Sequence, residues 1–196
     1  MDTSLNAALG LARHIILDPR DAARAIMRSD VPMNARWLAM ALVVVLSVIF
    51  GQISVTLMLQ PSGVMGAVLA GPSVAILVQA GVLLMMAIAA TQVGRMFGGE
   101  GIFPDAMLLI ACLQGVMVLV QVFQIAALML LPPIAGIVGM IGFGVFLWVL
   151  TGFVAELHGF RSLLNVFGMI LVTAFSIAFL LAMLLAMAGL APPQTR

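Results

Sequence analysis

The chain has 196 residues, 64% of them hydrophobic and 8% charged. A soluble domain carries about a quarter of its residues charged, so a soluble enzyme or binding module is excluded. The net charge of +1 says little; its placement says more.

Three stretches carry no formal charge: Trp37 to Gly94, Ala106 to Ala155 and Ser162 to Thr195. A spanning helix needs about 20 mostly apolar residues to cross roughly 30 Å of hydrocarbon. The first two stretches are long enough to cross twice and the third once, so five spans are expected. The charged islands at 1–36, 95–105 and 156–161 then share one side, because an even number of crossings separates each from the next. All basic residues are arginines, and seven of the eight lie in these islands with all seven acids. The positive-inside bias puts the islands in the cytoplasm, with the N-terminus inside and the C-terminus outside. The expected fold is an all-α polytopic membrane protein: a cytoplasmic arm at 1–36, a five-span domain at 37–190 and an outer tail at 191–196.

In chain order, residues 3–17 place Leu5, Ala8, Leu9, Ala12, Ile15 and Ile16 at helical spacing, an apolar face. Arg13, His14 and Asp18 interrupt the run, and no small-residue cleavage site follows, so it does not read as a cleavable signal. Asp18 reads as an N-cap with Pro19 at the first helical position. The helix it opens carries Arg20, Arg24 and Arg28 four apart. Such a pair of amphipathic helices lies at the membrane surface with arginines on lipid phosphates, or else packs on the domain's own cytoplasmic loops. The candidate lipid contacts are Arg13, Arg20, Arg24, Arg28 and Arg36.

Span one is predicted at 37–59, with Arg36 and Trp37 as interfacial anchors. Gln60 to Gly63 forms an outer turn, and Val64 to Pro72 an interfacial segment. Span two covers 73–93. The loop Gly94–Pro104 is read as a flexible turn, since its Gly98, Gly99 and Gly101 lack the Gly-Lys-Ser/Thr and preceding strand of a phosphate cradle. Asp105 is placed to cap span three, 105–131. Pro132 and Pro133 make a short outer turn, because neither donates a helical hydrogen bond. Span four covers 134–155, the turn Glu156–Ser162 follows, and span five covers 163–188. Glu156 and His158 are read by default as solvated turn residues, the alternative being a pair within the turn joined by Arg161.

No buried charge is expected in any span, Asp105 standing at the very start of span three, and the lone Cys112 excludes an intrachain disulfide and a cysteine-based zinc site. Proton relays and intramembrane hydrolases need acids, bases or histidines there, so no catalytic residue, cofactor or metal is expected. The polar residues that enter the membrane are amides and hydroxyls, chiefly Gln79 and Gln92 in span two and Gln114, Gln121 and Gln124 in span three. They read as interhelical hydrogen-bond partners, or alternatively as a polar groove for a neutral or lipidic solute. Gly136, Gly139 and Gly142 remove side chains from one patch of span four, a face for close helix approach. The absence of lysine beside abundant alanine, glycine and arginine is a composition of GC-rich bacteria.

The arm with Asp18-Pro19, the five spans and the loop Gly98-Gly99-Glu100-Gly101-Ile102-Phe103-Pro104-Asp105-Ala106 leading into span three together resemble the Yip (Ypt-interacting protein) family, in its small bacterial branch. The resemblance implies a non-enzymatic membrane protein. Eukaryotic relatives act in vesicle traffic and bind small GTPases through a longer N-terminal region. Their Asp-Leu-Tyr-Gly-Pro motif is absent, the chain has no tyrosine, and Ala111–Gln121 holds no Gly-Tyr-x-x-x-Pro, so GTPase binding is not implied. The expected role is a scaffold, accessory subunit or organiser in the bacterial inner membrane, the alternative a carrier through the glutamine groove. Expected partners are membrane lipids and a protein or second copy within the membrane, with no nucleic acid.

Overall fold

A computed structural model describes residues 2–58 and 71–187. The predicted turn at 60–63, the segment at 64–70 and the tail at 191–196 lie outside the described residues. Among those described there are seven helices and no strand. They are α1 (Asp2–Leu17), α2 (Pro19–Arg28), α3 (Met33–Met58), α4 (Pro72–Met96), α5 (Phe103–Leu130), α6 (Pro132–His158) and α7 (Leu163–Met187). The last five are each long and apolar enough to cross a membrane.

Local chemistry explains the ends. Asp18 caps α2 by accepting the Asp21 N–H at 3.1 Å, with Pro19 in the first turn. The first span begins earlier than the predicted Trp37: helix resumes right after Pro32, whose carbonyl accepts from Ala35 and Arg36. Asp105 does not cap the third span. Helix α5 opens at Phe103 behind Ile102, and Asp105 sits in its first turn. Nor do Pro132 and Pro133 form a turn. They start α6, with Leu131 alone as the link, because the first helical turn has no intrahelical use for the N–H that proline lacks.

Helices α4 and α6 end alike. Gly98 (φ +86°) and Gly159 (φ +70°) adopt the left-handed conformation that glycine permits. The next residue's N–H then returns five residues back, Gly99 to the Gly94 carbonyl at 2.9 Å and Phe160 to that of Ala155 at 2.8 Å. This double-bonded termination satisfies carbonyls that a helix end otherwise leaves open.

Helix α5 is the centre of the bundle, packed against α3, α4 and α6. Its buried residues run almost unbroken from Ala106 to Gln114, and those of α6 from Val149 to Ala155. Both runs lie at the end that carries the charged turns. The arm closes over this end, with Ile15, Ala22, Ala23 and Ile26 buried in the same core. At the opposite end the spans are open: Met129, Leu130, Met140 and Ile141 are exposed. Helix α7 packs on α6, and Val166 is its one buried side chain among the described residues.

Candidate functional site

Two hydrogen-bonded clusters join the arm and the two charged turns. In the first, the Glu156 carboxylate accepts from Arg20 Nε at 3.2 Å and from Arg24 Nε at 2.9 Å. Arg20 also donates to the Phe160 carbonyl at 3.0 Å. Glu156 is 13% exposed and the arginines considerably more so, so water screens the arginine side of the cluster. Hydrogen bonding to Glu156, and then its charge, raises the pKa of the Arg24 guanidinium above its ordinary value. Beside it, Gly152 lies under Pro19, where a Cβ would come to 2.6 Å from the proline ring. Trp148 donates its indole N–H to the Ile16 carbonyl at 3.1 Å. The arm is therefore held by charge, by hydrogen bonding and by a glycine-made recess.

Arg36 reaches a different acid. Its guanidinium donates to Asp105 at 2.7 Å and to the Val31 carbonyl at 2.9 Å. Their side chains are 11% and 23% exposed, which ties the start of α3 to the start of α5 more tightly than a surface pair does. Of the candidate lipid contacts, Arg20, Arg24 and Arg36 thus meet carboxylates of the bundle. Arg13 and Arg28 are exposed and make no ion pair among the described residues.

The second cluster surrounds His158, which is not a solvated turn residue: it is 6% exposed. Its Nδ1 accepts the Gly101 N–H at 3.1 Å, so the ring proton sits on Nε2, which donates to the Ala90 carbonyl at 2.9 Å. Phe160 stacks on the ring with centroids 5.5 Å apart. A Cβ at Gly94, Gly99 or Gly101 would overlap this side chain. The loop is glycine-rich because an imidazole fills the space, and it is not a free flexible turn. Arg95 fastens it by donating to the Gly101 carbonyl at 3.1 Å. The readable signal was a run of residues without Cβ beside a span end, facing a histidine at the end of another span.

The glutamines do not converge. Gln114 donates to Ser47 of α3 at 2.6 Å, whereas Gln124 turns to the Ala135 carbonyl of α6 at 3.5 Å. Gln121 keeps a buried side-chain oxygen without a partner. On α4, Gln79 is half-buried and Gln92 exposed. The glycines of α6 divide as well. Gly139 and Gly142 meet Gln124 and Val120 of α5, and Gly136 faces open space. Among the described residues no group of three or more His, Cys, Asp or Glu is placed to hold a metal ion.

The family model of the Yip1 domain matches residues 13–188. No curated protein and no solved structure matches the chain.

Proposed function

The chain belongs to the Yip1 domain family, and from that premise we propose that this multi-pass membrane protein is a non-enzymatic scaffold or accessory subunit that organises protein and lipid partners. The arginines of the arm and turns support a cytoplasmic position for the charged end, in the inner membrane of a bacterium. Arg13 and Arg28 are the cations of the arm left to meet lipid phosphates.

The inequality of the spans carries this reading. Helix α5 is surrounded, whereas α7 rests on α6 and buries little more than Val166. Lipid tails are as apolar as leucine, so exposure alone demands no partner; helices associate in lipid through packing. A span held by a single neighbour gains further packing only from another molecule. The split of Gln114 and Gln124 between two helices supports their use as interhelical bonds over a shared solute path.

Native mass spectrometry of gently solubilised membranes tests the proposal. The expected result is a defined assembly that dissociates when bulky substitutions are placed on the exposed face of α7, at Phe179 and Leu180, with the bundle still folded. A strictly monomeric chain, free of copurifying protein in both detergent and nanodiscs, refutes it.

A further inference from the structure

Helices α4, α6 and α7 leave between them an open apolar groove of about 590 Å³, within the roughly 300–1,000 Å³ of small-molecule pockets. Its walls run from Val82 to Val93 on α4, from Phe143 to Val154 on α6 and from Met169 to Leu181 on α7. At 1.5 Å per residue each wall is about 16–18 Å long, close to half of a roughly 30 Å hydrocarbon core. On α4 and α6 the groove ends next to Arg95 and Glu156, so it covers the leaflet adjoining the charged end.

That end opens into a second cavity of about 690 Å³, lined by Phe97, Phe160, Arg161, Ser162 and Asn165 and sharing Met169 and Thr173 with the groove. The mouth is lined largely by apolar residues, Val166 and Val172 included, but it carries the polar groups of Arg161, Ser162 and Asn165, whereas the depth is almost wholly apolar. Arg161 is exposed and makes no ion pair or hydrogen bond among the described residues, and no carboxylate lines either cavity.

The geometry points to a binding site for one anionic phospholipid of the leaflet next to the charged turns, its phosphate at Arg161, Ser162 and Asn165 and its acyl chains between α4, α6 and α7. Length and charge select this occupant. A spanning helix of a second copy needs a seat along the whole hydrocarbon thickness, twice what the groove offers, and would leave Arg161 facing apolar side chains. A phospholipid matches a one-leaflet slot with a cation at its mouth. The site goes beyond the scaffold reading and does not depend on it, since a carrier would hold a resident lipid equally well.

The test is native mass spectrometry of the full chain equilibrated with phosphatidylglycerol or phosphatidylcholine. One phosphatidylglycerol per chain is expected to be retained, against several-fold less phosphatidylcholine. Arg161→Gln is expected to reduce that preference about fivefold, the worth of one arginine near an anionic surface. Ala174→Trp, from the groove wall on α7, is expected to expel both lipids, and millimolar inorganic phosphate to displace neither. Equal retention of the two lipids by the unmodified chain overturns the proposal without any variant. So does Arg161→Gln that folds and keeps full preference. Disulfide-linked dimers formed through Ala174→Cys assign the groove to a second copy and overturn it as well.

Discussion

Placing alanine at Gly94 inverts in sign according to the residue at 158. Gly94 lies inside α4, where alanine is favoured over glycine by about 1 kcal/mol. In the native chain that gain is overwhelmed. A Cβ at Gly94 would overlap three imidazole atoms of His158, a ring held by Gly101, Ala90 and Phe160 and unable to swing aside. Overpacking of this kind costs about 1–3 kcal/mol. His158→Ala alone removes the ring and orphans the buried Gly101 N–H, for a combined loss of about 3–5 kcal/mol. In that background the space beside Gly94 is empty, so Gly94→Ala becomes stabilising by about 1 kcal/mol. The propensity gain is common to both backgrounds and cancels, so the coupling between the two sites equals the overpacking cost, about 1–3 kcal/mol, within the range for residues in contact. Equilibrium unfolding of the four proteins of the cycle in mixed SDS micelles measures it. If Gly94→Ala destabilises both backgrounds equally, the glycines are not there to admit the histidine, and the explanation of the loop fails.

Four further outcomes are expected. Asp105→Asn leaves Arg36 half-enclosed without its carboxylate and lowers stability by about 2 kcal/mol, below a fully buried pair because water reaches Asp105; the same micelle titration reads it. Glu156→Gln releases Arg20 and Arg24 together, costs about 1 kcal/mol, and speeds amide exchange in α1 and α2 over the rest of the chain. On α6, Gly142→Ala drives a Cβ to 2.6 Å from the stiff Val120, whereas Gly139→Ala meets only the mobile end of Gln124 at 2.9 Å. The first is expected to cost about 1–2 kcal/mol and the second less than about 0.5, while Gly136→Ala stabilises. Gln114→Leu removes the bond to Ser47 and costs about 0.6 kcal/mol. Loss of a solute flux with unchanged stability in this variant would instead favour a carrier.

Composition alone determined that the chain crosses a membrane, because hydrocarbon thickness sets how many consecutive apolar residues a span requires. Residue chemistry also marked the cap at Asp18, since capping depends on neighbours within one turn. The same local reading erred at Pro132–Pro133 and Asp105, where prolines fit equally a turn or a first helical turn. What tertiary structure alone decided is rotation about the helix axes and, with it, which polar groups meet. Glu156 joins arginines 132 and 136 positions away, His158 fills a glycine recess built from α4 and its loop, and Gln114 and Gln124 face different helices. In water a helix advertises its buried face by an apolar stripe. In lipid the outward face is equally apolar, so α5 and α6 carry no such stripe, and only their neighbours reveal which side each polar atom serves.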